Sequence, residues 1–274
     1  MTTEIASNRA GEPIVLTEQR GHVAVVRMNR PEARNAMSAD LLAALIMTWE
    51  RLEADDETWA YVITGADDTA FCAGADLKEM ATRVNTQGPR KYPLPTSAED
   101  VGFGGVTPRL RKPIIAAVNG YALGGGCELC LACDLIVIEE HAVIGLPEVL
   151  RGIIPGAGGV ERLPRRIPPS VAFECILTGK PLTAQRAYEV GLANRVAPTG
   201  SGIDVALELA ESICQGSPLA ARYAKAIARA SVRLGELEAR HAAAELRELW
   251  WNGEDLREGP TAFAEGRSPV WKGK

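Results

Sequence analysis

Short apolar segments that fit β-strands alternate along this chain with segments of helical periodicity, and this order limits the fold more than any other feature. Residues 14–28 carry two apolar stretches around a glycine turn, which is typical of a β-hairpin. After Ser38, a typical N-cap residue, apolar side chains at 41–52 recur with helical spacing, and residues 61–64 return to a strand pattern. The same order recurs over 114–138. This alternation predicts an α/β fold with parallel strands.

The composition is that of an ordinary globular protein. Of the 274 residues, 46% are hydrophobic, and 30 Lys and Arg residues against 35 Asp and Glu give a formal charge of −5. This balance gives no electrostatic reason to expect nucleic acid or an anionic membrane as a partner. No apolar run reaches the roughly 20 residues that span a bilayer. We therefore expect a cytoplasmic protein whose six cysteines are reduced thiols.

Two stretches depart from the alternation. Residues 82–109 hold four prolines and four glycines, which predicts a long loop without regular structure. After about residue 198, Ala, Leu, Glu and Arg dominate, so we expect a core at 1–198 that carries the active site and a helical region at 199–274. An apolar stripe of the helical region could pack on the core or on another subunit. Its residues are Leu237, His241, Leu246, Leu249 and Trp250.

Three consecutive glycines at 124–126 stand at the predicted start of a helix. The first N–H groups of a helix have no partner within it and can bind a negatively charged oxygen. The same glycines could instead let the helix pack closely on its strand. No Lys-Ser/Thr pair follows Gly125, and residues 156–159 lack the preceding strand and the later acidic residue of a dinucleotide site. An oxyanion site and a purely structural turn both remain open.

Two glutamates interrupt apolar surroundings. Glu128 lies in the predicted helix among Cys127, Leu129 and Cys130, where a carboxylate is costly to bury unless it is paired or used. Glu148 follows Pro147 and could simply be an acidic residue in the first turn of a helix. Together, two carboxylates in apolar settings favour a catalytic pair, because such settings raise carboxyl pKa values toward neutrality.

Two other groups of residues invite alternative interpretations. Cys127, Cys130 and Cys133 repeat every third position, but successive steps of about 100° spread them around a helix, so we expect core residues and no metal site. Arg162, Arg165 and Arg166 form a basic cluster that is most simply a solvated surface. An RNA or CoA-phosphate contact there lacks the interleaved aromatic residues that would support it.

Four segments resemble the enoyl-CoA hydratase/isomerase (crotonase) superfamily. They are Asn29-Arg-Pro-Glu-Ala-Arg-Asn-Ala-Met, Phe71-Cys-Ala-Gly-Ala-Asp-Leu-Lys-Glu-Met, Lys112-Pro-Ile-Ile-Ala-Ala-Val-Asn-Gly-Tyr-Ala-Leu-Gly-Gly-Gly-Cys-Glu-Leu and Gly145-Leu-Pro-Glu-Val-Leu-Arg-Gly-Ile-Ile-Pro-Gly-Ala-Gly-Gly. The resemblance implies that residues 1–198 form a spiral of ββα units with the active site, and that the helical region at 199–274 serves in oligomerisation and covers the pocket. The assembly would be a homotrimer or a dimer of trimers.

The resemblance also implies roles for particular residues. The oxyanion hole would be formed by the N–H groups of Ala75 and Gly125, and the two hydratase glutamates would be Glu128 and Glu148. The acyl-CoA substrate would be bound near Gly125 and by two further segments, whose residues are Ala33, Arg34, Ala36, Ala75, Asp76, Leu77 and Lys78. CoA belongs to the substrate, so no separate cofactor and no metal are expected.

Retention of both glutamates favours reversible addition of water across the 2,3 double bond of an enoyl-CoA. An enoyl-CoA isomerase, which would need one glutamate, is the alternative. Residues 162–169 and 258–273 are similar to carnitinyl-CoA dehydratase-type members, and a non-catalytic RNA-binding or scaffold protein is a remote alternative. The acyl chain, the division of acid and base between the glutamates, and the role of residues 82–109 stay open, although we expect those residues to form a mobile wall of the acyl pocket.

Overall fold

The computed structural model describes residues 6–87, 106, 110–232 and 234–274. The strands are β1 (Val15–Arg20), β2 (Val23–Met28), β3 (Ala60–Gly65), β4 (Ala70–Cys72), β5 (Ile114–Val118), β6 (Tyr121–Leu123), β7 (Leu135–Glu139), β8 (Val143–Gly145), β9 (Leu182–Thr183) and β10 (Arg195–Ala197). The helices are α1 (Ala39–Ala54), α2 (Leu77–Gln87), α3 (Gly125–Ala132), α4 (Gly159–Arg166), α5 (Pro169–Thr178), α6 (Ala184–Glu189), α7 (Gly202–Cys214), α8 (Pro218–Ser231), α9 (Glu236–Ala242), α10 (Ala244–Trp251) and α11 (Glu254–Glu265). Short 3-10 helices span Pro31–Ala33 and Pro147–Arg151.

The strands form two sheets that the chain visits in turn. The larger sheet has the order β1-β2-β3-β5-β7-β10, and the smaller one has the order β4-β6-β8-β9. Each of β3, β5 and β7 is followed after a few residues by its counterpart β4, β6 or β8 in the other sheet, and neighbouring turns pair in parallel. The predicted α/β fold with parallel strands is confirmed, and its path is the spiral of ββα units that the resemblance implies.

The bends between the two sheets are tied together by backbone contacts and one side chain. The amide of Asn119 accepts a hydrogen bond from Gly65 N and donates to Gly65 O, each at 3.2 Å. A β-carbon at Gly65 would lie 2.3 Å from Ala70 O, and one at Gly120 would lie 2.4 Å from Thr69 O. The first approach joins β3 to β4 within one turn of the spiral and the second joins this turn to the next, and only residues without a side chain allow either.

Both faces of the larger sheet are covered. Val25, Val62 and Ile115 are completely buried in a cluster with Ala206 and Ala210 of α7. The opposite face packs against α1 and against the smaller sheet, in a core that includes the buried side chains of Trp49, Phe71 and Leu129. Cys127, Cys130 and Cys133 belong to this second core, as expected for core residues.

Most of the predicted elements are confirmed. The hairpin forms from β1 and β2, and the Ser38 hydroxyl accepts a hydrogen bond from Leu41 N at the start of α1. The expected loop at 82–109 is wrong for residues 82–87, which continue α2, because Pro and Gly begin only at Gly88. Residues 88–105 and 107–109 lie outside the described residues, as does their expected role in the acyl pocket. No helix within the described ranges is long and apolar enough to cross a membrane.

Candidate active site

The three glycines at 124–126 divide the two roles that the sequence leaves open. A β-carbon at Gly126 would lie 2.0 Å from Cys72 O, so this glycine allows α3 to pack on β4. Gly124 has a φ of +57° and is the N-cap of α3, and its N–H donates to Gly145 O of β8 at 2.9 Å. Gly125, the first helical residue, donates its N–H to no group in the described part of the chain. Close packing and a free donor therefore occur at adjacent positions.

A second free donor lies beside this turn. Gly74 has a φ of +99°, and a β-carbon there would lie 3.1 Å from Gly125 N, so the backbone before Ala75 runs next to the start of α3. Residue 75 pairs in parallel with Met37, where Met37 N donates to Gly74 O at 2.7 Å and Asp76 N donates to Met37 O at 3.2 Å. Among the described groups, none accepts from Ala75 N. The structure thus brings together the two backbone donors that the sequence proposes.

Glu128 follows one turn further along α3, and its side chain is 3% exposed. Its Oε1 accepts hydrogen bonds from Ala157 N at 2.7 Å and Gly159 N at 2.9 Å, at the N-terminus of α4. Burial raises the pKa of Glu128, and these two backbone hydrogen bonds oppose the increase. A β-carbon at Gly159 would lie 3.0 Å from both Glu128 Cγ and Leu146 Cδ2, so a larger residue there would press on the Glu128 side chain.

Glu148 approaches the same glycine turn from the 3-10 helix Pro147–Arg151. It is 8% exposed, and its Oε2 is buried without a hydrogen-bond partner in the described structure. A β-carbon at Gly124 would lie 3.0 Å from Glu148 Oε1. Burial, reinforced by the negative charge of Glu128, raises the pKa of Glu148 to about 7. Glu128 thus accepts two hydrogen bonds, whereas Oε2 of Glu148 has no hydrogen-bond partner among the described residues.

The segment at 30–36 packs against the backbone that leads into α2. Arg30 Nη1 donates to Ala36 O at 2.6 Å, and its Nη2 lies 3.4 Å from Asp76 Oδ2. Asp76 Oδ1 in turn accepts from Lys78 N at 3.2 Å in the first turn of α2. The side chains of Arg34, Leu77 and Lys78 are exposed, whereas Ala33 and Ala36 are half-buried. The proposed substrate-binding residues of both segments therefore form one surface next to Ala75.

Two residues that support this surface could not be singled out from the sequence. Arg30 reaches an acidic partner 46 positions away, and no local pattern identifies that contact. Asn35 has a φ of +53° and is fully buried, with its Nδ2 donating to Ala70 O at 2.9 Å. The known tendency of Asn to adopt positive φ is the one signal that could have identified it.

The basic cluster on α4 is only partly a solvated surface, contrary to the expectation. Arg166 Nη1 donates to Cys130 O, Leu131 O and Cys133 O at 3.1–3.4 Å, at the C-terminal end of α3. Burial lowers the pKa of Arg166. Arg162 donates to Ala157 O at 2.8 Å, and the side chain of Arg165 is exposed. Two of the three arginines are therefore used within the fold.

Comparison with known proteins agrees with this geometry. The family model described as enoyl-CoA hydratase/isomerase matches residues 18–274. A probable mitochondrial enoyl-CoA hydratase of Dictyostelium discoideum is 40% identical, covering 94% of this chain and 90% of the relative. A carnitinyl-CoA dehydratase of Proteus mirabilis is also 40% identical, covering 93% and 97% of the two chains. The crystal structure of an enoyl-CoA hydratase from Mycobacterium marinum superposes with a TM-score of 0.86 at 40% identity, covering 96% of this chain and all of the other. The chain therefore belongs to the enoyl-CoA hydratase/isomerase family.

Proposed function

We propose that this protein is a hydro-lyase that adds water reversibly across the 2,3 double bond of an enoyl-CoA thioester. The observation that carries the proposal is the pair of buried carboxylates next to the glycine turn that has a free backbone donor. Glu148 lies against Gly124, and Glu128 is on the helix that begins at this turn. Relatives named as enoyl-CoA hydratases support the same reaction.

The free N–H groups of Ala75 and Gly125 are suited to hold the thioester oxygen. Addition of water at the β-carbon pushes electrons onto this oxygen, and donors that are already in place stabilise the enolate without reorganising. Gly125 is the first residue of α3, so the positive end of the helix dipole adds to the effect. The two donors thereby make the β-carbon electrophilic.

Hydration moves two protons, and the two carboxylates divide this work. Water must lose a proton as it attacks the β-carbon, and the α-carbon must gain one. Glu128 accepts two backbone hydrogen bonds that favour its ionised form, so we assign it as the base that deprotonates water. Glu148, whose Oε2 lacks a partner and whose pKa is raised to about 7, is assigned as the acid. The two glutamates together carry one proton, which is on Glu148 before hydration and on Glu128 after it. Dehydration uses the same groups in the reverse order.

Recognition of CoA is assigned to the surface formed by Ala33, Arg34, Ala36 and residues 75–78. Its exposed cations, Arg34 and Lys78, can contact the phosphate groups of CoA, and its backbone groups can contact the rest of the CoA molecule. CoA enters and leaves with the substrate, so the proposed reaction requires no separate cofactor and no metal.

The acyl chain defines a second candidate within the same reaction type. The Proteus mirabilis relative is named as a carnitinyl-CoA dehydratase and is as similar as the Dictyostelium hydratase. Turnover of a panel that includes crotonyl-CoA, longer and branched enoyl-CoAs, and crotonobetainyl-CoA separates the two. A clear preference for crotonobetainyl-CoA would identify the carnitinyl type.

Substitution of each glutamate tests the proposed mechanism. Glu128→Gln and Glu148→Gln keep the shape of the side chain but remove the proton transfer, so we expect kcat for hydration to fall on the order of 10²-fold or more. Glu174→Gln, an exposed position on α5, is the matched control and should leave kcat unchanged. Folded variants of Glu128 and Glu148 that retain kcat within a few-fold of the wild type would refute the assignment.

A further inference from the structure

The Glu128 carboxylate, assigned as the base, is hydrogen-bonded to the turn at residues 156–159, and Arg162 is hydrogen-bonded to the same turn. Glu128 Oε1 accepts from Ala157 N at 2.7 Å, and the carbonyl of the same residue, Ala157 O, accepts from Arg162 Nη1 at 2.8 Å. Arg162 therefore lies two hydrogen bonds from the carboxylate without touching it.

The turn that Arg162 contacts has few side chains of its own. Residues 156–159 are Gly-Ala-Gly-Gly, and Gly158 has a φ of +99° at the N-cap of α4. Such a segment has great conformational freedom and only one methyl side chain to pack. Arg162 is anchored by its own backbone, which donates to Gly158 O at 2.9 Å in the first turn of α4. The guanidinium thus connects the helix to the turn that precedes it.

We propose that Arg162 is a positioning residue for Glu128, which holds the Ala157 carbonyl so that the Ala157 N–H stays directed at the carboxylate. This inference rests on the proposed function insofar as Glu128 is the base of the reaction. The expected consequence of losing Arg162 is a carboxylate that is less well oriented and harder to ionise.

The charged groups around Glu128 also indicate that Arg162 favours the ionised form of this carboxylate. Burial raises its pKa, the Gly159 and Ala157 hydrogen bonds and the Arg162 guanidinium lower it, and Glu161 of α4 raises it. Glu148, on the neighbouring 3-10 helix, is a second negative group, since its own pKa is raised in part by Glu128. Cys127 on α3 stays neutral, because burial raises its thiol pKa well above the usual value. Arg162 is thus the nearby cation that favours the ionised base.

Removal of the side chain should be tolerated by the fold. Arg162 and Arg165 both line a cavity of about 660 Å³ whose other walls include residues of α7 and α8, so a shorter or neutral side chain can be accommodated without a clash. Arg165 is exposed and lies one turn along the same helix, which makes it the matched control for loss of a positive charge.

The first experiment measures the pH profile of hydration for Arg162→Met, Arg162→Lys and Arg165→Met. We expect Arg162→Met to lower kcat about 10-fold and to move the acid limb of the profile upward by roughly 0.5–1 pH unit, because the base then ionises less readily. Arg162→Lys, which retains the charge and one donor, should recover part of both effects. Arg165→Met should match the wild type. A wild-type profile for Arg162→Met, or an equal shift for Arg165→Met, would overturn the inference.

A second measurement is independent of turnover. The carboxyl ¹³C resonance of Glu128, assigned by its loss in Glu128→Gln, can be titrated in the wild type and in both methionine variants. A higher pKa of Glu128 in Arg162→Met, but not in Arg165→Met, supports the positioning role whether or not any enoyl-CoA is hydrated. Absence of hydration by the wild type would refute the proposed function and leave this result unaffected. An unchanged titration would refute the positioning role whatever the activity.

Discussion

At the scale of single residues, Gly124 combines a positive φ with a close approach to Glu148, the proposed acid. Alanine at this position would adopt a positive φ and would place its β-carbon 3.0 Å from Glu148 Oε1. Gly152 also has a positive φ, +68°, with nothing within 4 Å of where a β-carbon would lie, so it is the control for a positive φ without a contact to Glu148. Its ψ is +22°, in the left-handed α region, whereas that of Gly124 is −123°. We expect Gly152→Ala to cost about 1–2 kcal/mol of unfolding free energy and Gly124→Ala at least as much, measured by urea denaturation. Only Gly124→Ala should also lower kcat severalfold, and equal activity losses would contradict the contact.

Glu148 should make stability depend on pH. Its folded pKa of about 7 lies above its ordinary value of 4.5, so the folded protein retains a proton that the unfolded chain loses between these values. This residue therefore favours folding at low pH and loses that contribution as pH rises through the interval from 4.5 to about 7. The free energy of unfolding of Glu148→Gln relative to wild type should accordingly increase by roughly 1–3 kcal/mol between measurements near pH 5 and near pH 8. Glu174→Gln should show no such change, and a flat difference for Glu148→Gln would indicate an ordinary carboxyl.

Local sequence was informative for some site residues and silent for others. Glu128 and Glu148 could be proposed because a carboxylate among apolar neighbours is costly, and this cost can be seen without a structure. The roles of Arg30, Asn35 and Arg162 depend on partners that only the fold brings near. Arg162 in particular could be seen only as one of three basic residues, since its acceptor belongs to a turn whose own contact with Glu128 spans 29 positions.

At the scale of elements, the carboxylate of Asp134 pairs with two cations of α8 and thereby joins this helix to the core. Asp134 lies 2.8 Å from Lys225 Nζ and 2.7 Å from Arg229 Nη2, and it also accepts from Ile114 N at 2.9 Å. Asp134→Asn keeps the shape but removes the negative charge that faces the partly buried side chains of Lys225 and Arg229, so we expect a loss of about 2 kcal/mol in unfolding free energy. Asp204→Asn, exposed on α7, serves as the control. A loss no larger than that of the control would show that the charge of Asp134 contributes little and that α8 is held by its other contacts, among them the hydrogen bonds from Lys225 to Lys112 O and from Arg229 to Ala132 O.

The long elements could be predicted and the short ones could not. Helix α1 shows helical periodicity over sixteen residues, and β5 is a continuous apolar run. Strands β4, β6 and β8 have three residues each, too few for any periodicity to be visible. The pairing of β4 with β6 depends on a close approach of Gly120 to Thr69, which lies far away in the sequence. The second sheet, which carries the glycine turn, therefore became apparent only in the structure.

At the scale of the whole molecule, the last helices suggest assembly. Leu237, Leu249, Trp251 and Phe263 are 57–89% exposed in the single chain, and burying such side chains is the usual driving force of association. Residues 199–274 as an oligomerisation region, and the homotrimer or dimer of trimers, stay predictions. We expect light scattering to give a mass three or six times 29.3 kDa, and Leu237→Glu together with Leu249→Glu to reduce it. A monomeric wild type would contradict the expectation. The cytoplasmic location likewise stays a prediction.

The most direct test of the proposed reaction follows the oxygen atom of water. Wild-type protein is incubated with crotonyl-CoA in H₂¹⁸O, and the acyl product is analysed by mass spectrometry. Water attacks the β-carbon in the proposed mechanism, so the hydroxyl of the product should carry the label, and Glu128→Gln and Glu148→Gln should form it on the order of 10²-fold more slowly. Migration of the double bond in a longer 3-enoyl-CoA without incorporation of label into any acyl product would instead identify an isomerase and contradict the proposed hydration.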